Sequence, residues 1–105
     1  MQVERPALLV FDYETYNGDM HCVYVIKNLK FFSIYIGYTS NLKRRLIDHN
    51  SNQSKFTKSK GKWELVYCEI YRSKKDAVER ERKLKQHGSS FGHLKKRILN
   101  SLNED

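Results

Sequence analysis

One stretch limits what this chain can become. Residues 22–49 read CVYVIKNLKFFSIYIGYTSNLKRRLIDH, two β-branched and aromatic runs followed by a helical pattern. In the helical part Leu42, Arg45, Leu46 and His49 fall at i, i+3, i+4 and i+7, which is a single stripe. The leucines turn that stripe inward. Arg45 and His49 therefore lean toward the domain body, where a charged head needs a partner or costs several kcal/mol. Tyr24 and Tyr35 place two phenols on neighbouring strands just upstream. Polar groups on a buried face are expensive, so this stretch is where function is expected.

A chain of 105 residues makes one domain at the small end for a single core. Its charge is unevenly spread: residues 1–20 carry a net −3 and residues 21–105 a net +11. A basic body of this kind suits a polyanion, with nucleic acid ahead of an anionic membrane. No apolar run approaches the roughly 18 residues a membrane span needs. Cys22 and Cys68 both fall in predicted strands with no metal-ligand spacing, and the four histidines do not pair with them. The expectation is two reduced thiols on the core side of a cytoplasmic protein.

In chain order, residues 1–20 are expected to form a leader of unknown role, with residues 21–102 as the working domain. The Asp12-Tyr13-Glu14 fragment resembles the first acidic motif of DnaQ-like 3′–5′ exonucleases, whose other acidic motifs have no counterpart here. Residues 22–28 and 32–38 are expected to form an antiparallel hairpin. Gly37 stands where a side chain would crowd whatever approaches the sheet. Thr39 or Ser40 is expected to cap a helix over 41–50. Residues 51–62 bring four lysines into a loop. Residues 63–71 alternate weakly, as a third, largely covered strand would. Ser73 caps a predicted helix over 74–87, with Ala77, Glu81, Leu84 and Gly88 inward and Asp76, Glu79 and Arg80 outward. A last helix begins at Ser89 and carries Leu94, Ile98 and Leu102 as its apolar row. The fold class is then α/β, a small three-stranded antiparallel sheet flanked by helices in the order β-β-α-β-α-α.

These residues resemble the GIY-YIG nuclease family, and in particular its small single-domain members related to the excision-repair nuclease. Cys22-Val23-Tyr24 and Tyr35-Ile36-Gly37 match the two namesake tripeptides. Arg45 follows Tyr35 by ten positions and His49 by fourteen, as in the family. Lys55, Thr57, Lys58 and the run from Trp63 to Tyr67 look like the middle section of the small members. Ala77, Arg80-Glu81 and Leu84-Lys85 match the segment whose glutamate binds metal. Two departures stand out: Cys22 replaces the first glycine, and for the family's last-helix asparagine only Asn100 offers a counterpart.

The resemblance implies an endonuclease acting on structured or damaged DNA, as in DNA repair. Tyr24, Tyr35, Arg45, His49 and Glu81 would be its catalytic residues. Glu81 would hold one Mg²⁺ or Mn²⁺, Arg45 would stabilise the phosphate, and Tyr24 or Tyr35 would handle the attacking water with His49 as relay. Tyr38, Lys43, Arg44, Lys55, Lys58 and Lys85 are the candidates for contact with DNA. Activating a tyrosine at neutral pH requires lowering its pKa by roughly three units, about 4 kcal/mol. The alternative is a module that grips nucleic acid without cutting it. Whether the domain works as a monomer is left open.

Overall fold

The computed structural model describes residues 20–31, 33–51 and 61–103. The Asp12-Tyr13-Glu14 fragment, Phe32, Lys55 and Lys58 lie outside them. The strand β1 (His21–Asn28) carries the continuous apolar run from Cys22 to Ile26 and takes the centre of the sheet. From Cys22 to Asn28 it is buried throughout, because helices cover both its faces. On one side β1 pairs antiparallel with β2 (Ile34–Thr39), Tyr24 standing opposite Gly37. On the other it pairs antiparallel with β3 (Trp63–Tyr71), Tyr24 standing opposite Cys68. The order is thus β2-β1-β3, with a register shift between Val25 and Ile26 on the β3 side.

The hairpin closes on a buried side chain. Asn28 Oδ1 accepts hydrogen bonds from the amides of Lys30 and Phe31 at 2.9 and 2.7 Å. Asn28 thereby satisfies donors that the turn would otherwise leave unpaired. β2 begins at Ile34 and runs through Thr39.

Alternation along β1 sorts the side chains into two cores. Val23, Val25 and Ile36 pack with Ala77, Leu84, Leu94 and Ile98. Cys22, Tyr24 and Ile26 pack with Leu42 and Trp63 on the opposite face. The second core is covered by α1 (Leu42–Asn50). The first is covered by α2 (Lys74–Lys85), α3 (Ser89–Arg97) and the short α4 (Leu99–Asn103).

Several boundaries differ from expectation. The cap of α1 is Asn41, whose side chain accepts from the amide of Arg44 at 3.1 Å. Thr39 acts one step earlier, its hydroxyl accepting from the amide of Asn41 at 3.0 Å. α2 stops at Lys85 rather than reaching His87, so Gly88 leaves the inward stripe and becomes the N-cap of α3. The last helix is broken at Ile98 into α3 and α4. β3 is an edge strand with Glu64, Leu65 and Ile70 exposed, not a largely covered one. Cys22 is buried and Cys68 half-buried, both free, and burial raises both thiol pKa values away from the reactive range. Among the described residues no helix is long and apolar enough to cross a membrane.

Candidate active site

The site begins with a missing side chain. Gly37 lies directly across from Tyr24, and a Cβ there would collide with the Tyr24 ring and hydroxyl. Glycine lets the phenol lie flat over β2 rather than stand away from the sheet. Tyr35, two residues before Gly37, shares that face, and its ring centroid lies 6.2 Å from that of Tyr24.

α1 brings the polar stripe down onto these rings. The Tyr24 hydroxyl lies 2.7 Å from His49 Nε2, and Arg45 Nε donates to the same hydroxyl at 3.3 Å. The His49 ring also meets Tyr35 edge-on, with centroids 5.0 Å apart. His49 is held from its own backbone as well. The Asn50 carboxamide accepts from the Trp63 amide at 2.8 Å and donates to the Trp63 carbonyl at 3.1 Å. That pair of bonds fastens the C-terminal turn of α1 to the start of β3, so the imidazole enters the core at a fixed depth.

Glu81 arrives from the other side of the sheet. Its helix packs on the opposite core, and its carboxylate pairs one turn along α2 with Lys85 at 3.2 Å. The Lys85 ammonium lies 5.6 Å from the centre of the Tyr35 ring. The negative charge of Glu81 is felt at Tyr24. Tyr24, Tyr35, Arg45 and His49 are therefore in mutual contact, and Glu81 joins them through Lys85.

Burial dominates the electrostatics. It pushes the Tyr24 phenol up to about 12, against the opposing pull of Arg45. Burial and the neighbouring Arg45 charge push His49 down to about 4, so its imidazole is neutral at pH 7. For Arg45 burial works against the charge, and its hydrogen bonds to Tyr24 and Tyr35 outweigh it, raising the pKa. The lowered tyrosine pKa that a free phenolate base would need is absent at Tyr24, because a fully buried phenol sheds water that would stabilise its anion.

Among the described residues no group of three or more His, Cys, Asp or Glu side chains converges. The donor set still fits a hard cation of the Mg²⁺ type. Such an ion is commonly held by one or two carboxylates and completed by water and substrate phosphate. The Glu81 carboxylate already faces a positive charge, that of Lys85.

Of the remaining candidates, Lys43 and Arg44 are exposed on α1. Tyr38 sits on the other face of the sheet, its hydroxyl 2.7 Å from His21 Nδ1 and its ring stacked on that imidazole. It is not part of the Tyr24 cluster.

One cluster went unforeseen. Arg80, expected to point outward, turns to β3 and forks onto Glu69, with Nε at 2.9 Å from Oε1 and the outer nitrogen at 2.9 Å from Oε2. The Tyr67 hydroxyl donates to Oε2 at 2.7 Å and the Tyr71 hydroxyl to Oε1. Burial would raise the Glu69 pKa, but these four bonds overcome it and hold the carboxyl below its ordinary range. A signal existed in the sequence. Tyr67, Glu69 and Tyr71 are two apart, on one face of a strand, so an acid flanked by phenols needed an explanation. Arg80 immediately precedes Glu81, so this clamp ties α2 to β3 one residue before the acid.

The model of the GIY-YIG catalytic domain matches residues 20–100. A UPF0213 protein of Staphylococcus saprophyticus is 38% identical over 68 residues, covering 64% of this chain and 82% of its own. One from Staphylococcus haemolyticus is 41% identical over 66 residues, covering 62% of this chain and 79% of its own. The solution NMR structure of a UPF0213 protein from Bacillus halodurans is 33% identical and covers 80% of this chain and 85% of that one, with a TM-score of 0.45.

Proposed function

The chain belongs to the GIY-YIG family, and on that premise we propose that it is a metal-dependent endonuclease hydrolysing DNA phosphodiester bonds. The observation that carries the reading is the Tyr24 hydroxyl, bonded at once to a neutral imidazole and a guanidinium within the field of Glu81. The net +11 of residues 21–105 supplies the attraction for a polyanion.

The energetics favour a relay over a free phenolate. Ionising a phenol of pKa about 12 at pH 7 costs about 7 kcal/mol. Protonating an imidazole of pKa about 4 costs about 4 kcal/mol. In the free protein the Tyr24 oxygen is closed to water, so the relay belongs to the substrate complex: there the oxygen would take a proton from the attacking water while its own proton passes to His49 Nε2. This requires the imidazole to carry its hydrogen on Nδ1. Arg45 Nε, donating to the same oxygen, stabilises the negative charge that develops as the protons move. Tyr35 packs His49 edge-on and fixes its plane. The Arg45 side chain is about one-third exposed and offers its positive charge to phosphate oxygens. Glu81 would hold the Mg²⁺ or Mn²⁺ ion, whose charge offsets that of the phosphate and acidifies bound water.

The direct trial is a cleavage panel. Branched, nicked and single-stranded DNA are incubated with purified protein and Mg²⁺ or Mn²⁺, beside Glu81→Ala and Arg45→Ala. Both variants are expected to lose cleavage. Undiminished cutting by Glu81→Ala would remove the assignment. Salt-sensitive binding with no turnover under either metal would leave a nucleic-acid-binding module instead.

A further inference from the structure

Along the outer edge of β2 runs a cavity of about 320 Å³, lined by Ile34, Tyr35, Ile36, Lys85 and His87. It adjoins the candidate active site through two of those residues. Tyr35 contacts His49, and Lys85 is the partner of Glu81. We infer that this cavity is a subsite for one unpaired nucleotide next to the phosphate to be cut. The inference rests on the nuclease reading and narrows its substrate to DNA with an unstacked base at the cleavage position.

The lining has the chemistry of a nucleotide. Ile34 and the Tyr35 ring give an apolar seat for a flat base, with the largely buried Ile36 at its floor, while Lys85 and His87 place an ammonium and an imidazole at its rim for the phosphate. Among the described residues no carboxylate lines the cavity itself, and Glu81 stands behind Lys85 at 3.2 Å. β2 is an edge strand, so part of its backbone faces the cavity side without a partner strand and can meet the polar edge of a base. A stacked base pair cannot enter such a recess, whereas a single extruded base can.

His87 gives an independent reason. It sits just beyond α2 with φ 55°, in the left-handed region where glycine is the usual residue. Histidine enters that region more readily than most residues, but it still carries a steric cost that glycine would not. The cost places an imidazole at the lip of the cavity, braced edge-on against Phe91 with centroids 4.8 Å apart. Glycine is the usual residue at such a helix end, and histidine in its place brings to the cavity a side chain that glycine would not.

The test uses the full chain in chelator, so that binding is read without turnover. Isoleucine methyl NMR is followed during titration with deoxythymidine monophosphate, a short single strand, a matched duplex and a duplex carrying one mismatch. The Ile34 and Ile36 methyls are expected to shift with the nucleotide and the single strand but not with the matched duplex. A response to the mismatched duplex would name a flipped base as a source, and its absence a free single strand. His87→Gly relieves the backbone and is expected to melt no lower than wild type, yet to bind the single strand about tenfold more weakly. Ile34→Trp fills the cavity and is expected to do the same. Equal affinity for single strand and matched duplex, or unmoved methyls at saturation, would overturn the subsite. Binding is read here without turnover and cleavage separately in the panel above, so a protein inactive in that panel whose methyls shift retires the nuclease reading alone. An active one whose methyls stay still retires the subsite alone.

Discussion

The hydroxyl of Tyr24 lies 2.7 Å from Nε2 of His49, and both side chains are withdrawn from water. A histidine so placed is neutral in the folded protein down to a pH of about 4, against 6.5 when exposed. Between those values the unfolded chain binds a proton that the folded chain refuses. The contribution is therefore complete above about pH 6.5 and fades as acid is added. It is worth about 3 kcal/mol. Urea denaturation at pH 7.5 and pH 4.5 is expected to show this loss in wild type. In His49→Gln the loss should shrink, leaving only what the carboxylates contribute. An unchanged difference between the two pH values would mean that His49 is not held neutral by its surroundings.

Gly37 makes the Tyr24 geometry possible. Adding one methyl in Gly37→Ala drives a Cβ into the phenol, and Tyr24 is fully buried with no room to swing. Overpacking of this kind costs about 1–3 kcal/mol. Cleavage should fall further than stability explains, because the hydroxyl is pushed away from His49 and Arg45. Comparing the melting temperature with turnover measured well below it separates the two effects.

How much of this could be read in the sequence depended on how local the cause was. β1, the tyrosine pair and the α1 stripe were legible because they rest on neighbouring residues and a fixed period. Glu81 was legible too, since Ala77 and Leu84 define its side of α2. The Glu69–Arg80 fork was not. It joins residues 11 apart on two elements, and nothing short of the packing of α2 beside β3 tells Arg80 to turn inward. The cap of α1 slipped by a residue or two because Thr39, Ser40 and Asn41 can all cap, and only backbone geometry chooses. The exposure of β3 depended on strand order, which periodicity does not encode. The break at Ile98 has no glycine or proline to announce it.

The Glu69 fork leads to a prediction of its own. Glu69→Gln keeps the shape but removes the charge that Arg80 and two phenols converge upon. Breaking a fully buried pair costs about 3–5 kcal/mol, and partial exposure of Arg80 reduces that to about 2 kcal/mol. Because the folded carboxyl is held below its ordinary range, the wild-type advantage is present above about pH 4.5 and lost on acidification. With Arg80 released, α2 keeps its seat through Ala77 and Leu84 but loses the tie to β3 next to Glu81, whose side chain is then aimed less tightly. Turnover should drop while DNA affinity stays near wild type, and Glu69→Asp should recover part of it. A loss of stability with turnover intact would make the fork purely structural.

Lys85 holds the Glu81 carboxylate at 3.2 Å, so an ammonium stands where a divalent cation would have to bind. The two positive charges compete for one acid. A half-exposed ion pair of this type is worth about 0.4–1 kcal/mol, so removing it should lower the metal concentration needed for half-saturation by about two- to fivefold. Lys85→Met keeps the length and apolar stem of the side chain and deletes only the charge. Manganese titration followed by paramagnetic broadening of nearby resonances reads the affinity directly, with Glu81→Gln as the variant expected to show no specific binding. The effect should diminish in high salt, since a screened ammonium competes less. A metal requirement that rises in Lys85→Met would mean that lysine helps to build the cation site, and the competition described here would be wrong.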